Sequence, residues 1–378
     1  MSSKKVGMFV VTPYFKQKGL SLVLPTAHVT SFRVVQRTSN FCQSFFFSFS
    51  FRLSHCRFVQ CKLNSIRSSF ELAVSLIPFV VLWVLACWVA QYSYLAAFAI
   101  SAANGLFLLR LFCIQHDCGH GSFYGNRDVS DWVGRALGVV TLTPYDVWRR
   151  THSIHHSHAG DLDQRGIGDV MTLTVEEYHQ RTAFGRFMYR AYRHPFVMFG
   201  LGPTYLFILQ NRLPLGLMNQ GRKYWISAMG TNLAILTILG TIIYFGGFQA
   251  LFLVFLPTTL IAASIGVWLF YVQHQFETTH WEQKADWQLH EAALHGSSHY
   301  DLPPILRWFT ANIGIHHVHH LYSRIPFYRL TEVLRDHNEL IEVSRMTIAQ
   351  SIKCASLDLW DEKSKRLISF AAAHKLAA

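Results

Sequence analysis

Apolar residues crowd into four stretches, each close to the roughly 20 residues that cross a bilayer as a helix. Leu72–Ala90 carries no charge, and Tyr94–Leu109 is uncharged and continues through Arg110 to Ile114. Trp225–Phe248 and Leu251–Gln273 follow, so the predicted spans are 72–90, 94–114, 225–248 and 251–273. Gln91-Tyr92-Ser93 joins the first two, and a turn near Gly246-Gly247 joins the last two. Neither connection contains Lys or Arg, whereas residues 127–223 contain twelve. The positive-inside rule then places both short connections outside and the long segment in the cytoplasm. Two further apolar runs, Asp131–Leu142 and Pro195–Gln210, are too short or too rich in Gly and Pro to span. They read as interfacial or re-entrant helices.

Composition agrees with a membrane body. Charged residues make up 15% of the 378-residue chain, against about 25% in ordinary soluble proteins. The net charge of +12 is concentrated at one end, because residues 1–70 hold ten Lys or Arg and no Asp or Glu, leaving 24 basic and 22 acidic side chains elsewhere. A nucleic-acid-binding reading of the whole chain is therefore excluded. Residues 1–62 form an atypical basic leader with the low-complexity run Ser44-Phe45-Phe46-Phe47-Ser48-Phe49-Ser50-Phe51. The leader resembles an organellar transit segment, or else is a disordered extension or a start assigned too far upstream. Residues 63–378 read as one membrane domain. The seven cysteines contain no C-x-x-C pair, which speaks against a zinc ribbon or disulfide framework.

Histidine changes the picture most. His116 and His120 form an H-x-x-x-H; His152, His155 and His156 form an H-x-x-H-H, and His316, His319 and His320 form another. His274 ends the last apolar stretch. An even number of crossings brings all nine to the cytoplasmic side, with the first two clusters in the loop after the second span. Helical spacing lets each cluster aim its rings at one point. Eight clustered imidazoles exceed one tetrahedral zinc and point to two metals. Soluble di-iron bundles use Glu and Glu-x-x-His, but no Glu lies inside these clusters. Nearby Asp117, Asp169, Glu277, Asp286 and Asp301 are candidates to orient the ligand rings, and His290 competes with His274 for the ninth position. Arg149 and Arg150, just before the second cluster, could meet a lipid phosphate. Tyr145, Trp148 and Trp268 are candidate walls for an acyl channel.

His116-Asp117-Cys118-Gly119-His120, His152-Ser153-Ile154-His155-His156 and His316-His317-Val318-His319-His320 resemble the three histidine boxes of membrane fatty-acid desaturases. Tyr271-Val272-Gln273-His274-Gln275-Phe276-Glu277, Gly296-Ser297-Ser298-His299-Tyr300-Asp301-Leu302-Pro303 and Asn312-Ile313-Gly314-Ile315-His316 resemble bacterial acyl-lipid enzymes of the Δ12 (omega-6) type. The likeness covers roughly residues 63–345. It implies an all-α integral membrane protein with four transmembrane helices and a cytosolic helical cap. It also implies two non-haem irons on the nine histidines, with His274 as the extra ligand, and O2 as co-substrate. A lipid-borne acyl chain would receive a cis double bond, with electrons from an external ferredoxin or cytochrome b5-like donor. A hydroxylase or a carotenoid or sterol oxygenase of the same superfamily shares the boxes. A membrane metal transporter or sensor is the reading from another class, and it requires ionisable groups along the spans.

Overall fold

In the computed structural model, residues 63–377 other than Ile167 are described, so the basic leader of residues 1–62 lies outside the described residues. The principal helices are α1 (Ser65–Val89), α2 (Tyr94–His120), α3 (Arg127–Val140), α4 (Tyr145–His158), α5 (Ala183–Arg193), α6 (Arg222–Gln249), α7 (Leu256–His274) and α8 (His316–Leu321). Three helical segments are long and apolar enough to cross a membrane: α1, α2 and the 53-residue run Arg222–His274.

That run is no straight rod. Gly247 takes φ 63 and ψ −173, a backbone region that glycine enters without a Cβ penalty. Residues Ala250–Phe255 then wind as a π-helix into α7. Both ends of the run meet α4. Lys223 Nζ pairs with Asp146 at 3.1 Å, while His274 Nε2 lies 3.1 Å from His155 Nε2. The fourteen residues of α4 extend only about 21 Å, whereas 53 residues in one straight helix would extend about 80 Å. The run therefore doubles back around Gly247, at the turn expected from Gly246-Gly247.

α2 is the central helix. Its apolar window is 56% buried against 11% for α1, and α1, α3 and α7 all pack on it. α1 leaves Val80, Val81, Val84 and Trp88 exposed, an apolar face suited to lipid. Asn64 caps α1 by accepting from the Arg67 N–H at 3.1 Å. The helix thus begins before the apolar stretch does and brings Glu71 inside. Glu71 meets Arg110 of α2 at 2.5 Å, and both side chains are buried. Arg110 Nε also donates to Ser75 Oγ at 3.0 Å, and Nη1 donates to the Trp308 carbonyl.

α3 is short and two-faced. Trp132 and Val129 are exposed, while Gly134 and Gly138 press on the start of α4. A Cβ on Gly134 would lie 2.2 Å from the Tyr145 ring, so only glycine permits this approach. Residues 197–209 contain two π-helical turns and lie against α7, where Phe199 packs edge-on to Trp268 and Tyr271.

The expectation of an all-α chain needs one correction. Leu359–Asp361 pairs in parallel with Leu173–Thr174 and antiparallel with Arg366–Ile368, and His299–Tyr300 pairs in parallel with Arg345–Met346. These short strands tie the segment after α4 to the C-terminal residues, with Trp360 stacked on Trp281 at 5.5 Å.

Candidate metal centre

Each histidine cluster is carried by a helix. His116 and His120 occupy the last turns of α2 itself, not the loop after it as the sequence suggested, because α2 stays helical as far as Gly121, which caps it at φ 71. α4 carries His152, His155 and His156, α8 carries His316, His319 and His320, and His274 is the last residue of α7.

The nine rings form two groups. His116, His120, His152, His156 and His319 make one, and His155, His274, His316 and His320 the other, with ligand atoms inside each group lying within 4.8 Å of one another. The expectation that each cluster aims at a single point holds for His116 and His120 and is corrected for the two H-x-x-H-H clusters. An α-helix turns about 100° per residue, so i and i+4 lie about 40° apart whereas i+3 and i+4 lie about 100° apart. On α4 the i,i+4 pair His152 and His156 faces the first group and His155 the second. On α8 the pair His316 and His320 faces the second group and His319 the first. Each H-x-x-H-H thus serves both groups.

Within the first group, His152 Nε2 lies 3.1 Å from His120 Nε2 and 3.1 Å from His156 Nε2, and His319 Nε2 lies 3.2 Å from His156 Nε2. In the second group, His274 Nε2 is 3.1 Å from His155 Nε2 and 3.0 Å from His316 Nε2. Two nitrogens bound to one first-row ion at about 2.1 Å, at right angles, stand about 3 Å apart. Burial pushes the His152, His156, His316, His319 and His320 imidazoles well below their ordinary pKa, and the neighbouring rings push further the same way. The rings are therefore neutral and offer lone pairs. His320 Nε2 is buried with no hydrogen-bond partner, an orphan that a metal ion would satisfy. Convergent neutral imidazoles are the donor set that suits iron, copper, zinc or nickel, so the residues fit a two-metal centre.

The groups behind the rings were only partly anticipated. Asp169 meets His155 Nδ1 at 2.5 Å, and Asp117 Oδ1 lies 3.4 Å from His116 Nδ1 while its Oδ2 accepts from the Phe327 N–H at 2.7 Å. The Gly296 carbonyl faces His274 Nδ1 at 3.2 Å, a backbone partner that side-chain chemistry gives no sign of. The other candidates stand elsewhere. Glu277, Asp286 and His290 are exposed, and Asp301 is held by Arg307 and Arg345. None of the four bonds to any of the nine rings among the described residues. Arg149 pairs with Asp131 at 2.9 Å, and Arg150 is exposed. Trp148 stacks on His152 with ring centres 4.6 Å apart and planes 15° apart. Tyr145 is buried and donates to Asp131 at 2.7 Å.

Long apolar helices ending in two polyhistidine groups define a membrane-bound metalloprotein class. Comparison narrows this. The fatty acid desaturase family model matches residues 92–351. A fatty acid desaturase of Bacillus subtilis is 43% identical over 306 residues, 81% of this chain and 86% of the relative. The sn-1 oleoyl-lipid 12-desaturase of Synechocystis is 28% identical over 236 residues, 60% of this chain and 64% of the relative. Its sn-1 acyl-lipid omega-3 desaturase (ferredoxin) is 27% identical over 243 residues, 60% and 63% of the two chains. The chain belongs to the fatty acid desaturase family and is an oxidoreductase.

Proposed function

We propose that the chain introduces a cis double bond into an acyl chain carried on a membrane glycerolipid, using two non-haem irons held by the nine histidines. The observation that carries this reading is the division of those histidines into a half-buried group of five and a buried group of four. The overall change removes two hydrogens from adjacent methylenes and reduces O2 to two waters. Two of the four electrons come from the substrate and two, with two protons, from an external donor. Bound iron supplies the O2 activation that an unactivated C–H bond demands.

The chain's own residues do the rest. His116, His120, His152, His156 and His319 hold one ion, and His155, His274, His316 and His320 the other. Asp169 and the Gly296 carbonyl fix which nitrogen of His155 and of His274 faces inward. Trp148 covers His152 on one side and keeps water from it. An apolar cavity of about 240 Å³ lies among α1, α2, α3, α6 and residues 255–259, lined in part by Trp83, Leu108, Leu142 and Ile235. Leu108 lies eight residues before His116, about 12 Å along the helix, a depth suited to the tail of an acyl chain whose reacting carbons reach the histidines.

The fold-back at Gly247 supports four crossings, with α6 and α7 as separate spans and the metal centre on the cytoplasmic face. The buried Glu71–Arg110 pair is mutually neutralised, which disfavours an ion path along the spans and with it the transporter or sensor. A Δ12 position is supported by the 28%-identical relative, but the omega-3 relative at 27% names another position, so the product decides. An external electron donor is required, and a relative whose name specifies ferredoxin favours that class.

The test is acyl-profile analysis of a desaturase-deficient host expressing the full chain, beside His316→Ala. A new unsaturated lipid acyl chain, absent with His316→Ala, supports the reading, and its double-bond position fixes the regiochemistry. A hydroxylated acyl chain or an oxidised carotenoid would replace desaturation with oxygen insertion.

A further inference from the structure

Arg193, the last residue of α5, is buried at 3% exposure and has no ion-pair partner among the described residues. Its bonds all go to neutral acceptors. Nη1 donates to the Met171 carbonyl at 3.4 Å and to Thr172 Oγ1 at 3.3 Å. Nη2 donates to Tyr271 OH at 3.0 Å, to Gln275 Oε1 at 3.2 Å and to the Leu357 carbonyl at 2.6 Å. The nearest counter-charge, the buried Asp358 carboxylate, acts on it without a direct ion pair, and a buried cation held this way is costly where a packed apolar residue often serves stability better. Its presence calls for a role that needs a rigid fork of donors.

The two ends of that fork lead to the second histidine group. Met171 and Thr172 follow Asp169 by two and three residues, and Asp169 meets His155 Nδ1 at 2.5 Å. Tyr271 on α7 and Gln275 just past its end bracket His274, and Thr172 Oγ1 also donates to Gln275 Oε1 at 3.0 Å. His155 and His274 approach each other to 3.1 Å. One guanidinium thus spans the segment that orients His155 and the helix end that carries His274. None of its bonds leads toward His116, His120, His152, His156 or His319.

We propose that Arg193 is the positioning residue of the four-histidine group, setting the separation of His155 and His274 and leaving the five-histidine group unaffected. The inference rests on the two-metal reading above. Its test is iron content and affinity of the full chain purified in detergent, for wild type, Arg193→Gln, Arg193→Lys and Tyr189→Phe. Tyr189 braces the same helix, donating to the Asp358 carbonyl at 2.7 Å and accepting from the Leu173 N–H at 3.0 Å, but reaches neither His274 nor Asp169.

Wild type and Tyr189→Phe are expected to hold two irons per chain. Arg193→Gln is expected to retain one firmly and to bind the other about 10- to 100-fold more weakly, the usual effect of losing a group behind a metal ligand. Arg193→Lys, with its charge kept and its fork lost, falls between them. Two irons at wild-type affinity in Arg193→Gln would overturn the proposal, as would equal loss of both irons in Arg193→Gln and Tyr189→Phe. Fewer than two irons in the wild type itself would remove the two-metal reading, and the proposal with it.

Discussion

His155 and His274 stand 119 positions apart in the chain, yet their Nε2 atoms lie 3.1 Å from each other. Each ring is held from behind, by Asp169 at 2.5 Å and by the Gly296 carbonyl at 3.2 Å. Only the Asp169 support can be removed by a side-chain substitution. Asp169→Asn should weaken iron binding at the four-histidine group about 10- to 100-fold, read by iron titration of the stripped protein. An unchanged affinity would mean that the carboxylate does not orient His155.

The Glu71–Arg110 pair joins α1 to α2 with both side chains buried. Removing one partner strands the other charge and typically costs about 3–5 kcal/mol. Glu71→Leu should therefore lower the unfolding temperature in detergent sharply. The double variant Glu71→Leu/Arg110→Leu should recover much of that loss, and a double variant as unstable as the sum of the singles would show that no such coupling exists.

Gly119 sits between His116 and His120, and a Cβ there would lie 2.8 Å from the Trp148 ring. Gly119→Ala should push Trp148 off its stack on His152, shifting tryptophan emission and lowering desaturation. Overpacking of this kind costs about 1–3 kcal/mol of stability. Unchanged emission and full activity would place Trp148 outside any sheltering role.

These positions also mark what could be read in the chain. The nine histidines were legible because i, i+3 and i+4 spacing and the even count of apolar stretches converge on them. Their partition was not, since the same H-x-x-H-H pattern sends His155 one way and His152 and His156 the other, and only the seating of α4 between α2 and α8 decides which. Asp169 was legible as a nearby acid, but so were Glu277, Asp286 and Asp301, which differ from it only in how loops fold. Glu71 was missed because hydropathy begins the first span at Leu72, whereas the cap at Asn64 starts the helix earlier. Arg193 gave no signal at all, lying close behind Arg181, Arg186 and Arg190 in an acid-free segment.

Acid should destabilise the iron-free protein. The His152, His156, His316, His319 and His320 imidazoles are held well below the ordinary imidazole value of about 6.5, mainly by burial, then by neighbouring rings. Above that pH both folded and unfolded chains carry them neutral. Below it the unfolded chain takes up protons that the folded chain refuses, so stability falls as pH falls. The unfolding temperature of stripped protein should be level from about pH 8 to 7 and drop from about pH 6.5 to 5. A rise over that interval would contradict the buried, neutral state of the rings.

The central claim is that one chain holds two irons, five histidines on one and four on the other. Anomalous diffraction at the iron edge from crystals of the iron-loaded protein tests it most directly. Two peaks are predicted, one ringed by His116, His120, His152, His156 and His319 and the other by His155, His274, His316 and His320. A single peak, or iron bound away from these rings, would contradict the account.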